Sequence, residues 1–128
     1  MLAGRANCLI RILRRSVTQN DFGENIESFI LWRRAWAESW IDRGSEPVQA
    51  LEPQSAPIRN FRVDWSEVML PDADGTVIRE DMVIEVEGEG VLQEGAMAPR
   101  KFDIMLLMPD YNRRQHCQIR VTERRNHA

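Results

Sequence analysis

Apolar and polar side chains alternate with a period of two in short runs along this chain, and that pattern limits the fold more than any other feature. Over 117–121, Cys117, Ile119 and Val121 alternate with Gln118 and Arg120. Phe61, Val63 and Trp65 alternate with Arg62 and Asp64, and Met82, Ile84 and Val86 with Glu85 and Glu87. Near the start, Cys8, Ile10 and Ile12 alternate with Leu9, Arg11 and Leu13. Successive side chains of a strand point to opposite faces, so each run describes a strand with one buried face. The expected fold class is therefore mainly β.

Other segments fill in the order. Residues 102–108 are apolar almost throughout, which suggests a central strand buried on both faces. Pro109-Asp110-Tyr111-Asn112 then turns the chain into the last strand, so the two form a hairpin. Asn20-Asp21-Phe22-Gly23 is a turn signal between two apolar segments. Between Ile26 and Ile41 the spacing is ambiguous. Trp32, Trp36 and Trp40, four apart, share a face of a helix or of a strand. The flanking β pattern favours a long strand, with the tryptophans in the core. The Pro-rich stretch from Pro47 to Pro57 is the least regular and reads as a long loop. No linker or repeat divides the 128 residues, so one domain is expected, 1–128, with its core at 8–124.

Charge and cysteine content narrow the partners. The formal net charge is −3, which gives no overall attraction to nucleic-acid phosphates. Lys101 is the single lysine beside sixteen arginines, a bias of a GC-rich genome that also suits ion pairs between subunits. No apolar run approaches the roughly 18 residues of a membrane span, and no membrane partner is expected. Two cysteines make no disulfide framework, and a reduced, cytoplasmic origin is the default. Arg5, Arg11, Arg14 and Arg15, with no acid among the first twenty residues, imitate a targeting segment. The alternation around Ile10 argues for a strand there instead.

Reaction chemistry is hard to assemble from these residues, so no enzyme and no cofactor are expected. His116 lies on the polar face of the last strand and the neighbouring Cys117 on the apolar face, so the two cannot jointly hold a metal. His127 lies near the end of the chain, where order is not expected. Asp72-Ala73-Asp74-Gly75 hints at a calcium loop, but the first ligand position would be Leu70 and the twelfth Asp81. A β-turn after Pro71 is the preferred reading. Glu85, Glu87, Glu89 and Glu94 form an acidic run, with Glu85 and Glu87 expected on a solvated strand face. Such a face can also meet an arginine-bearing neighbour or repel passing DNA.

In order and spacing, several short elements resemble the head–tail joining (head-closure, or stopper) family of long-tailed phages and phage-derived particles. A strand from Ile10 to Val17 leads to Asp21-Phe22-Gly23, then a tryptophan-containing strand ending in Trp36-Ala37-Glu38. Gly44 and Glu46 open the long loop. Phe61 and Val63, Asp81-Met82 and Phe102 to Ile104 follow, and an arginine-flanked strand runs to Glu123. The resemblance spans about 8–124. It departs at 88–99 (GEGVLQEGAMAP), where members usually turn tightly; that insertion suggests a contact loop.

The resemblance implies a small β-barrel with long inter-strand loops that forms a homo-oligomeric ring in the neck. Portal-adaptor protein would lie above it, tail terminator or tail tube below, and genomic DNA would pass through. The loop at 44–57 would reach into the channel as a plug through Gly44, Ser45, Glu46, Pro47, Val48, Gln49, Ala50, Leu51 and Glu52. Arg33, Arg34, Glu85, Glu87, Arg113 and Arg114 are candidate subunit contacts. Such a chain would be assembled in the bacterial cytoplasm and end in the particle neck. The alternatives are a tail-terminator or other neck ring component, or a single-stranded nucleic-acid-binding barrel that stacks bases on tryptophan.

Overall fold

The structure, a computed structural model, describes residues 7–42, 58–93 and 95–124. In chain order the elements are β1 Cys8–Gln19, β2 Asn25–Asp42, β3 Ile58–Asp64, the short helix α1 Trp65–Val68, β4 Val83–Gln93, β5 Ala96–Pro109 and β6 His116–Glu123. Every strand pairing is antiparallel, and the order β1-β2-β3-β6-β5-β4 returns to β1, so the sheet closes on itself as a barrel. Closure removes the free edges of the central part of the sheet.

Period-two alternation sets the lumen. Ile10 and Ile12 of β1, Phe61 and Val63 of β3, Ile84 and Val86 of β4, and Cys117, Ile119 and Val121 of β6 point inward and are at most 3 % exposed. Ala35 and Ala37 line β2, where small side chains leave room for Phe61 and Phe102, packed edge to face with centroids 6.3 Å apart. Each large apolar side chain buried this way stabilises the fold by about 1.5–3 kcal/mol before ordering costs. One mouth of the lumen is covered by Val68 of α1, with Ile78 and Met82 from the connection to β4. The Ile78 amide donates to the Val68 carbonyl at 3.0 Å and holds that cover in place.

Two expectations fail for one reason, closure. The segment 102–108 is not buried on both faces: Phe102 and Ile104 point in, whereas Met105 and Leu106 are 48 % and 41 % exposed. A closed single sheet has only one interior, and among the described residues none buries Met105 or Leu106 on its outer wall. The tryptophans of β2 do not fill the lumen either. Trp36 is 59 % exposed and Trp40 half-buried, whereas the half-buried Trp32 packs against the core cluster while the alanines take the lumen. Strand rather than helix is nevertheless what 25–42 adopts. A bulge in β2 opposite Ile12/Leu13 removes Trp32 from the ladder, and another in β5 removes Met105.

The β1–β2 hairpin is longer than the barrel needs. Only Ile10 to Leu13 of β1 pair with β4, while pairing with β2 continues to Gln19↔Asn25. Beyond Arg14 the ribbon is a two-stranded arm, ending in a turn where Asn20 Oδ1 accepts from the Phe22 and Glu24 amides, both at 2.9 Å. Gly23, at φ 79°, supplies the left-handed step of that turn. The residues expected as an insertion at 88–99 are not a loop. They continue β4 and β5 as a second hairpin, paired from Gly90↔Pro99 to Gln93↔Ala96 beyond a bulge.

Candidate assembly surfaces

Strand direction gives the barrel two unlike ends. β1, β3 and β5 finish at one end, which carries the arm, α1 and the β5–β6 turn. β2, β4 and β6 finish at the other, where the chain enters 43–57 and where the β4–β5 hairpin projects.

At this second end an arginine closes the lumen. Arg59 is two positions before Phe61, so the alternation that buries Phe61 also turns Arg59 inward. Its guanidinium lies over Phe61 (4.9 Å) and Phe102 (5.3 Å) and is clamped by Glu89 in a two-pronged pair at 2.7 and 2.9 Å. Arg59 Nε donates to Ser39 Oγ at 2.8 Å. Arg100 continues the network, gripping Glu123 at 2.6 and 2.8 Å. Hydrogen bonding from Arg59 holds the Glu89 carboxyl below the ordinary glutamate range, against a desolvation penalty that acts the other way. Hydrogen bonding to Glu89 correspondingly raises Arg59, and Glu123 raises Arg100. The clamp ties the β4–β5 hairpin to β3 beside the exit of 43–57. A shallow cleft of about 340 Å³, lined by Asn7, Cys8, Ser39, Trp40, Ile41 and Arg59, opens there.

At the arm-bearing end, Asp72 organises the β3–β4 connection. Its carboxylate accepts from the Asp74 and Thr76 amides at 2.9 and 2.8 Å and from Trp32 Nε1 at 2.8 Å. These bonds, that of Thr76 foremost, lower its pKa. The turn expected after Pro71 is thus present, and its carboxylate fastens the bulged Trp32 of β2. Among the described residues, no group of three or more His, Cys, Asp or Glu is placed to hold a metal ion. His116 is half-buried at the start of β6, and burial pushes the Cys117 thiol up to about 11.

The residues singled out from the sequence scatter. Gly44, Ser45, Glu46, Pro47, Val48, Gln49, Ala50, Leu51 and Glu52 lie outside the described residues, as does Glu94. Glu85 is 6 % exposed rather than solvated and pairs with Arg11 at 3.2 Å. Arg34 and Glu87 pair with each other across β2 and β4 on the outer wall. Arg33 donates to the Glu67 carbonyl at 3.0 Å and lies over Trp32. Arg113 and Arg114 stand exposed on the β5–β6 turn with no side-chain ion pair to any described residue. Sequence reasoning missed the Arg59–Glu89 clamp. Its signal was the phase of Arg59 with Phe61 and Val63, which marks an inward charge in need of a partner.

Fold and surface together define a class: a small closed-sheet protein whose ionic clusters brace its own strands, with its apolar excess on an arm and an outer wall. A family model described as phage head completion protein matches residues 1–124, and the chain belongs to that family. It is thereby a structural component of phage or phage-like particles, with a head–tail role. No curated protein matches the sequence. Among solved structures, the chain is similar to protein SF1141 from Shigella flexneri 2a, with 19 % identity, 96 % of each chain covered and a TM-score of 0.59. It is also similar to a chain in the virion of a native gene transfer agent particle, with 14 % identity, 92 % and 94 % coverage and a TM-score of 0.51. Both likenesses are of fold.

Proposed function

We propose that this chain forms a ring at the junction of a phage-type head and its tail, where it closes the DNA channel and offers the tail its docking platform. The observation that carries the reading is the family match over 1–124, which contains the stretch of about 8–124 on which the head-closure pattern was read from the residues. The unlike ends of the barrel support it, because a neck ring must meet different partners above and below. In this reading 43–57 leaves beside the rigid Arg59–Glu89 clamp and reaches into the channel, with Gly44 to Glu52 as the plug. Its partners are further copies of the chain, a portal-adaptor protein, a tail terminator or tail tube protein, and the passing DNA. Arg33, Arg34, Glu85 and Glu87 serve chiefly to brace the barrel, and Arg113 and Arg114 remain for contacts.

Electron microscopy of assembled particles tests the location, with a ring between portal and tail expected. Particles whose chain is shortened within 44–52 are expected to package DNA and then lose it. Normal DNA retention by those particles refutes the plug. The exposed Trp36 is the one feature favouring the nucleic-acid-binding alternative. Salt-sensitive binding of single strands by the isolated chain would support it over the ring.

A further inference from the structure

The β1–β2 arm is fastened to the outside of its own barrel. The Phe29 ring lies against Lys101 of β5, whose Nζ is 5.8 Å from the ring centre, and against the Arg124 guanidinium at 5.0 Å. Arg124 is held beside β5 by its amide, which donates to the Lys101 carbonyl at 2.7 Å, and by an ion pair with Asp103 at 2.8 Å. At the root of the arm, Leu13 and Val83 are buried although neither belongs to the core cluster of the lumen. One face of the arm is therefore laid on the outer wall towards β5, and the other is presented to solvent in a fixed position. Side chains alternate across a strand, so Ile26, Ser28 and Ile30 lie on the face opposite Phe29. Ile26 is 47 % exposed and Ile30 43 %, with Ser28 exposed between them. The β1 residues paired with them on that face are Thr18, Ser16 and Arg14.

A second apolar surface stands on the opposite wall. Trp36 projects from the outside of β2 and is 59 % exposed, with the half-buried Trp40 further along the same face. In the closed order β1-β2-β3-β6-β5-β4, β2 and β5 are three strands apart in either direction, so the wall of β2 faces away from the one on which the arm lies. Charges around Trp36 are balanced within the chain, Arg34 by Glu87 and Glu38 by Arg62. Such a surface suits an uncharged apolar partner, and the Ile26–Ile30 face is one. Exposed apolar clusters mark contact sites, and tryptophan at the centre of one is a common anchor. Within one copy the two surfaces point in opposite directions and cannot meet. Those of two copies side by side can, and a head-to-tail contact repeated by rotation closes a ring.

We propose that the exposed face of the arm in each copy, centred on Ile26 and Ile30, seats on Trp36 of the next. This rests on the ring reading above and specifies the contact that builds the ring. Because Phe29 holds the arm in place before the copies meet, little ordering cost falls on the contact.

The test uses assembled particles. A chain carrying both Ser28→Cys and Arg34→Cys, in a Cys8→Ser background, is treated with a short bis-maleimide. Both substitutions leave Ile26, Ile30 and Trp36 intact. A ladder of linked copies is expected, with only monomers from either single substitution. Dimers from Ser28→Cys alone, or a link from position 28 or 34 to another protein, overturn the proposal. A second measurement counts copies per particle. Ile30→Asp and Trp36→Asp should each lower the count about tenfold, whereas Val17→Asp, on the other face of the arm, should leave it near the wild-type level. No loss from Ile30→Asp or Trp36→Asp, or an equal loss from Val17→Asp, overturns the contact. All three positions are exposed, and unchanged melting temperatures verify folding; where one falls, the cross-link decides. If the wild-type chain forms a ring at the junction yet no ladder appears, the arm contact is wrong and the ring reading stands. If the wild-type chain forms no ring there, both fall.

Discussion

Replacing Glu89 with glutamine removes the charge that balances Arg59 while keeping the size of the side chain. The Arg59 side chain is 14 % exposed and lies over two phenyl rings, so its cation cannot simply move into water. The Glu89 side chain is 33 % exposed, which leaves part of the loss to be made up by solvent. Stranding one member of a buried pair costs about 3–5 kcal/mol, and losing a charge-assisted hydrogen bond costs about 1.5–3 kcal/mol. With the partial exposure of Glu89, about 2 kcal/mol is the expected loss. Over a chain of this length that lowers the midpoint of thermal unfolding by roughly 8 °C. The control is Arg34→Ala, whose side chain is 56 % exposed and whose loss should cost under about 1 kcal/mol. Arg59→Met combined with Glu89→Leu should be more stable than Glu89→Gln alone, because an apolar pair leaves no buried cation. The dependence on pH has a definite sign. Glu89 titrates below the ordinary glutamate value in the fold. Its contribution is therefore full above the unfolded value of about 4.3 and is lost as pH falls through the lower folded value. The gap between wild type and Glu89→Gln should be constant near neutrality and narrow below about pH 4. Calorimetry and urea unfolding across pH 3–7 provide the assay. A Glu89→Gln protein no less stable than Arg34→Ala, or a gap that widens in acid, refutes the clamp.

Phe61 is fully buried, so Phe61→Ala should cost about 3–5 kcal/mol in urea unfolding, enough to bring a small domain near its stability limit; a loss under about 1 kcal/mol would mean that the lumen is not closed around it. Cys117 is fully buried with its thiol raised to about 11, so a thiol reagent at pH 8 should leave it unmodified in the native protein and label it on unfolding. Mass spectrometry of the labelled peptide decides the point, and rapid native labelling would contradict the burial.

The strands were legible because their signal is local. Cys117, Ile119 and Val121 define the inner face of β6 by period alone, and Phe61 and Val63 do the same for β3. The turns at Asn20 and Asp72 were readable for the same reason, since an Asn or Asp side chain satisfies amides only a few residues away. The order of these short elements also carried a resemblance to the head–tail joining family, on the residues that the family match later covered. The sequence could not say what covers the other face of each strand, because that depends on which strands become neighbours. Closure alone put Trp36, Met105 and Leu106 outside and Ala35 and Ala37 inside. It paired Glu85 with Arg11, 74 residues away, and turned Arg59 into a plug that needed Glu89. It also brought Phe29 of the β1–β2 arm against Lys101 of β5 and Arg124 beyond β6. Period fixes the face of a side chain, while the strand order of the closed sheet decides what that face meets.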